Sequence, residues 1–104
     1  MGLTVTEDVS GPGAGADAGN LTARIPGAGG DDGPFILFCA HMDTVPLAAP
    51  VQPALVDGAW ENANAGILGA DNKSAVAIFL ETARHFTGAG GPPPVGIEIV
   101  FTVC

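Results

Sequence analysis

Residues 35–40, with the sequence FILFCA, are continuously apolar, and this run constrains the fold more than any other segment. An apolar run of this length without polar alternation is typical of a central strand that is covered on both faces of a sheet. Residues 96–104, with the sequence GIEIVFTVC, form a second strongly apolar strand candidate. The two runs therefore predict the buried strands of a sheet.

One clear helix is predicted between these strands, over residues 72–87. Its apolar positions recur at helical spacing on one face: Ala75, Val76, Phe79, Leu80, Ala83 and Phe86. Glycines and prolines in residues 88–94 end the helix. If the strands at 35–40 and 96–104 are parallel, the order strand, loop, helix, strand is one crossover unit. The predicted fold class is α/β, with a mixed, mainly parallel sheet and a crossover helix.

Shorter elements complete the prediction. Residues 3–9 and 20–25 alternate as strands do, and we expect them to pair as a hairpin with a long loop. A further short strand is expected within residues 51–57. Loops rich in glycine, proline or small residues are expected at residues 11–19, 27–34 and 58–70.

The composition indicates which binding partners are unfavourable and which cellular compartment is favoured. The 104 residues are about one domain long, and the net charge of −8 makes nucleic acid and anionic membranes poor partners. No signal peptide opens the chain, and no apolar run reaches the ~18 residues that span a bilayer. Cys39 and Cys104 lie in apolar runs, where reduced cysteines act as small hydrophobic residues. A cytoplasmic location is therefore predicted.

Three polar residues lie where a ligand would collect. In an extended chain His41 and Asp43 point to the same side, because residues i and i+2 share a face. Asp71 precedes the helix, and a helix antiparallel to its strands begins at the sheet edge where His41 lies. We therefore expect His41 and Asp71 to approach each other. One imidazole and two carboxylates suit Zn²⁺ or Mn²⁺ better than metals that prefer thiolates.

Each of these residues also has an interpretation without a ligand. His41 alone suits a hydrogen-bonded position at the rim of a sheet. Asp43 suits the start of a turn, and Asp71 is a good helix N-cap. Lys73 is expected to be solvated, and His85 to complement the dipole at the end of the helix.

The segments HMDTVP, residues 41–46, and ILGADNKSAVA, residues 67–77, closely resemble the peptidase T-like (tripeptide aminopeptidase) branch of the dizinc exopeptidases. That superfamily also includes carboxypeptidase G, acetylornithine deacetylase and succinyl-diaminopimelate desuccinylase. The segments LTVTED, NLTARIPG, FILFCAHMDTVP and IEIVFTV follow in the order expected of these enzymes. The resemblance therefore covers nearly the whole chain, but only part of the catalytic domain of such an enzyme.

The resemblance implies that His41 is a ligand of one zinc ion and that the Asp71 carboxylate bridges two. It implies that Asp43 is a catalytic residue that orients or polarises His41, and that the Asp71–Asn72 peptide is cis. The implied reaction is hydrolysis of short peptides at their amino end, with a glutamate as general base. Mn²⁺ or Co²⁺ is an alternative to zinc. A deacylase, a carboxypeptidase or a non-catalytic α/β remnant is the alternative function.

The resemblance further implies that residues 1–104 are a catalytic domain truncated at both ends. The general-base glutamate, the remaining metal ligands and the dimerisation domain are expected outside them, and the complete enzyme is expected to be a homodimer. With only His41 and Asp71 as metal ligands, this chain alone is predicted to be inactive and to bind zinc weakly. Marginal folding is also predicted, because the strand at 96–104 would expose an apolar edge.

Overall fold

The computed structural model describes residues 1–48 and 50–103, which form a four-stranded sheet, a helix packed on it and a separate two-stranded hairpin. The strands are β1 Val5–Glu7, β2 Leu21–Ile25, β3 Phe35–His41, β4 Pro53–Val56, β5 Ala59–Asn62 and β6 Gly96–Thr102. The helices are the single turn α1, Gly11–Ala14, and α2, Lys73–Phe86, with a 3₁₀ turn at Pro46–Ala48. Cys104 lies outside the described residues.

The sheet has the order β1-β2-β6-β3. β3 and β6 are parallel with α2 between them in the chain, so the predicted α/β class and the crossover helix are confirmed. β1 and β2 form the predicted antiparallel hairpin. The sheet is mixed but not mainly parallel, because two of the three strand pairs described are antiparallel. The hairpin occupies the side of β6 away from β3, and β2 pairs with β6 in the antiparallel sense.

The central strand is β6, not β3. β6 pairs with β2 on one side and with β3 on the other, and its Ile97 and Ile99 are buried. On β3, Ile36 and Leu37 are 51% and 60% exposed. Within residues 1–48 and 50–103, nothing pairs with the outer side of β3. An apolar run indicates that a strand is suited to burial, but it does not identify the neighbours that bury it.

The hydrophobic core lies between α2 and the sheet. Its buried members are Ile25, Ala83, Ile97 and Ile99, with Leu3, Phe38, Phe79, Phe86 and Phe101 packed around them. The Phe79 ring of α2 lies 5.4 Å from the Phe38 ring and 6.4 Å from the Phe101 ring. The predicted apolar face of the helix therefore packs on the sheet, although Leu80 at its margin remains 44% exposed.

The hairpin β4–β5 was only half predicted. β4 lies within the expected strand at 51–57, whereas β5 lies in a segment expected to be a loop. Asp57 and Gly58 join the two strands with φ values of 49° and 84°, as a two-residue hairpin turn requires. The Asp57-Gly58 pair therefore could have predicted a hairpin turn, and with it β5. β5 itself is too short to show a clear alternation.

Three further expectations concern single segments. Residues 11–19, expected to be a flexible loop, contain the helical turn α1 with Pro12 in its first turn. Cys39 is a free thiol, and its side chain is exposed rather than packed. In the described part of the chain, no helix is both long and apolar enough to cross a membrane.

Candidate metal centre

His41 is the last residue of β3, at the carboxyl edge of the sheet, and it is level with Thr102 of the central strand. Its Nδ1 atom lies 3.1 Å from the Asp43 carboxylate oxygen Oδ1 and 3.2 Å from the Asp43 carbonyl oxygen. Both oxygens can only accept, so we assign the ring proton to Nδ1. The sequence left open whether Asp43 contacts His41 directly or indirectly, and the geometry shows a direct contact.

The other ring nitrogen faces Asp71. The Nε2 atom of His41 lies 3.9 Å from Oδ1 of Asp71, which is too long for a hydrogen bond. With the proton on Nδ1, Nε2 presents a lone pair towards a carboxylate oxygen, and two acceptors face each other. Zinc binds nitrogen and oxygen ligands at about 2.0–2.2 Å, so two ligands of one ion are at most about 4 Å apart. The pair therefore fits a shared cation.

Asp71 is not the helix cap that its sequence position suggests. The N-cap residue of α2 is Asn72, and its side chain makes no capping hydrogen bond. The Asp71 side chain is 97% exposed beside His41, and the Asp71–Asn72 peptide is cis, as the resemblance implies. Asp71 is thus free to act as a ligand.

The site is a pair of donors rather than a full coordination shell. Among residues 1–48 and 50–103, no group of three or more His, Cys, Asp or Glu side chains could hold a metal ion. Zinc sites in proteins usually have three or four protein ligands. Asp43 does not add a third, because its carboxylate is on the Nδ1 side of the imidazole, opposite Asp71.

A cleft of about 310 Å³ opens beside the pair. Apart from His41 and Asp71, its lining residues are mostly small or apolar: Thr44, Val45, Ile67, Leu68, Gly69 and Ala70. These residues belong to the two segments that carry the family resemblance, residues 41–46 and 67–77, but no sequence pattern predicted that they line a cleft. A cleft of the same volume between α2 and the β1–β2 hairpin has no acidic, histidine or cysteine side chain in its lining.

Two hydrogen bonds at Ile67 hold one wall of the cleft in place. The Asn62 side chain at the end of β5 donates to the Ile67 carbonyl at 3.0 Å, and the Ile67 amide donates to the Leu47 carbonyl at 3.2 Å. Gly66 makes this approach sterically feasible, since a Cβ atom there would lie 2.6 Å from the Leu47 carbonyl oxygen. Both the amide and the carbonyl of Ile67, four residues before Asp71, are therefore held by hydrogen bonds.

Two other residues singled out in the sequence are not members of the His41–Asp71 pair. His85 is in the last turn of α2, as predicted, with its ring edge-on to Phe86 at 4.9 Å. Lys73 is exposed but not simply solvated, because its ammonium donates a hydrogen bond of 3.1 Å to the Met42 carbonyl. No pattern in the sequence indicated this contact.

The sequence pattern of peptidase family M28 matches residues 20–104, which is most of the chain. The chain belongs to peptidase family M28. This M28 chain is also 34% identical over 84 residues to the uncharacterized protein YqjE of Bacillus subtilis, a match that covers 81% of the chain and 22% of YqjE.

Two solved structures share the fold of this M28 chain. A tripeptidase from Staphylococcus aureus is 31% identical with a TM-score of 0.82, and aminopeptidase PepT from Bacillus cereus is 34% identical with a TM-score of 0.83. Each match covers 98% of this chain and 27% of the other. The chain thus spans about a quarter of the length of these relatives. The expected resemblance to peptidase T-like exopeptidases is confirmed, and with it the catalytic-domain fold.

Proposed function

We propose that residues 1–104 are part of the catalytic domain of a metallopeptidase that hydrolyses short peptides from their amino end. The observation that carries the proposal is the position of the His41 imidazole, with Asp43 at 3.1 Å on one side and Asp71 at 3.9 Å on the other. The similar structures of a tripeptidase and an aminopeptidase favour this function over a deacylase or a carboxypeptidase. The cytoplasmic location and the homodimer of the complete protein stay predictions.

The metal proposed for this site is Zn²⁺, since peptidases of family M28 are generally zinc-dependent. Nε2 of His41 and the carboxylate of Asp71 would hold it, and the second oxygen of Asp71 would serve a second ion in a complete site. When bound, the metal supplies Lewis-acid activation of a water molecule and of the scissile carbonyl. Mn²⁺ and Co²⁺ accept the same donors.

The residues of this chain prepare that chemistry. Asp43 accepts the Nδ1 proton of His41, which fixes the tautomer and the ring orientation and makes Nε2 a better donor to a metal. Val45, Ile67 and Leu68 give the adjoining cleft apolar walls that favour exclusion of water around a bound peptide. We assign no general base among the described residues, and we therefore expect no peptide hydrolysis by this chain alone.

A zinc titration of the isotope-labelled chain, followed by nuclear magnetic resonance, tests the proposal. We expect weak, saturable shifts centred on His41 and Asp71. His41→Gln and Asp71→Asn should abolish them, whereas Asp31→Asn, in the exposed turn between β2 and β3, should not. Shifts that survive in both site variants would support the non-catalytic α/β remnant instead. Tight binding of two zinc ions would contradict the expectation of an incomplete site.

A further inference from the structure

The two halves of the candidate metal centre come from separate segments, and no hydrogen bond among the described residues joins His41 or Asp43 directly to Asp71. His41 and Asp43 follow β3, and Asp71 precedes α2. Across the gap, the Nε2 atom of His41 and the Asp71 carboxylate are 3.9 Å apart and share no hydrogen bond. With the assigned proton on Nδ1, the facing atoms are both acceptors, so neither donates a hydrogen bond across the gap.

Lys73 supplies an attractive contact across this gap. It lies two residues after Asp71, and its Nζ atom donates to the carbonyl of Met42, the residue between His41 and Asp43. A hydrogen bond from a charged donor is stronger than one between neutral groups. Fixing the Met42 carbonyl therefore restrains both flanking side chains relative to the beginning of α2.

The stability of α2 does not explain a lysine at this position. Lys73 is the first residue of the helix, where the positive end of the helix dipole disfavours a cation. The first turn carries no acidic residue that would offset this charge. The contact with Met42 gives the ammonium a hydrogen-bond partner outside the helix.

We propose that Lys73 is a positioning residue of the metal centre, which holds the His41–Asp43 segment against the helix that follows Asp71. The effect of Lys73 on metal binding rests on the proposed function. Its restraint of the segment around Met42 does not depend on any metal. Lys73 does not contact the metal in this scheme; it acts through the backbone of Met42.

The experiment compares Lys73→Met with Lys73→Arg, which retains a charged donor, and with Arg84→Met. Arg84 lies on the same helix and pairs with Glu81 at 2.8 Å, so its variant removes the same charge away from the site. The first measurement is the set of ¹⁵N order parameters of the amides at residues 42–45 without metal. The second is the Zn²⁺ affinity from the shifts around His41, and circular dichroism checks that α2 is retained.

We expect Lys73→Met to lower the order parameters of residues 42–45 from about 0.85 towards 0.6 and to weaken zinc binding roughly three- to tenfold. Lys73→Arg should restore most of both, and Arg84→Met should change neither. Unchanged order parameters in Lys73→Met would overturn the proposal, and so would equal losses of affinity in Lys73→Met and Arg84→Met. If the unaltered chain shows no zinc-induced shifts, the proposed function fails, and the order parameters alone decide the role of Lys73.

Discussion

At the scale of single residues, Asp43 has the most specific geometry in the candidate site. Its side chain and its carbonyl both lie within hydrogen-bonding distance of the same ring nitrogen of His41. A ring held twice from one side has little freedom to rotate, so its Nε2 lone pair keeps one direction. In zinc proteins, carboxylates commonly orient histidine ligands through a contact of this kind.

Replacing Asp43 by Asn should weaken zinc binding roughly tenfold without changing the fold. An amide oxygen still accepts the Nδ1 proton, but it lacks the negative charge that makes Nε2 a strong donor. Zinc titration followed by nuclear magnetic resonance measures the loss, and Asp31→Asn is the control for the change in net charge. An affinity equal to that of the control would show that Asp43 only begins a turn.

A second carboxylate, Asp8, is held by the loop that joins β1 to β2. Its Oδ1 atom accepts hydrogen bonds from the Ser10 amide at 2.9 Å, the Ser10 hydroxyl at 2.6 Å and the Asn20 amide at 2.9 Å. Its Oδ2 atom accepts from the Asn20 side chain at 2.9 Å. These donors, with Ser10 contributing most, hold the pKa of Asp8 well below its usual range.

The lowered pKa makes stability depend on pH. Because the pKa of Asp8 is lower in the folded state than in the unfolded chain, its contribution is fully present above about pH 4 and is lost as the pH falls towards the folded pKa. Asp8→Asn should therefore lower the urea midpoint at pH 7 and reduce the fall in that midpoint between pH 5 and pH 3. Parallel pH profiles for Asp8→Asn and the unaltered chain would contradict this account.

At the scale of elements, α2 is anchored to the sheet by a few apolar side chains. Phe79 lies between the rings of Phe38 on β3 and Phe101 on β6, while its neighbour Ile78 is 62% exposed. Because these rings belong to both parallel strands, Phe79 joins the helix that follows Asp71 to the strand that ends at His41. The packing thereby sets the distance across the candidate site.

Phe79→Ala should destabilise the fold by about 2–3 kcal/mol, somewhat less than for a fully buried phenylalanine because the ring is only half-buried. Ile78→Ala on the same helix should stay within about 0.5 kcal/mol of the unaltered chain, since its side chain is largely in water. Urea unfolding followed by circular dichroism measures both. Equal effects of the two substitutions would contradict the assigned packing of α2.

The same elements show what the sequence can and cannot predict. The approach of Asp71 to His41 followed from a topological rule, because a strand end and the start of an antiparallel helix lie on one edge of the sheet. The edge position of β3 did not follow, since the composition of Ile36 and Leu37 is the same at an edge and in the centre. The Lys73 contact depends on where one flexible side chain settles, which no local pattern encodes.

At the scale of the whole molecule, the chain forms a thin layer. Its radius of gyration is 16.5 Å, against about 13 Å for a compact domain of 100 residues. The buried hydrophobic residues of the described chain are few: Ile25, Ala40, Ala83, Ile97 and Ile99. Such a small core is consistent with the marginal folding that the sequence predicts, although the free apolar edge is on β3 rather than on the strand at 96–104.

That edge should control self-association. β3 is a seven-residue edge strand, and the backbone groups on its outer side, from alternate residues, pair with nothing in the described part of the chain. With the exposed Leu37, this edge favours pairing with a second chain. The net charge of −8 opposes association, so dimers should increase when salt screens the repulsion. Leu37→Lys should keep the chain monomeric at salt concentrations where the unaltered chain associates.

Leu55→Lys, at a site that is 63% exposed on the separate β4–β5 hairpin, changes the charge equally and should have a smaller effect. Sedimentation velocity at low and high salt measures this difference, and if both variants suppress association equally, net charge rather than the β3 edge controls it.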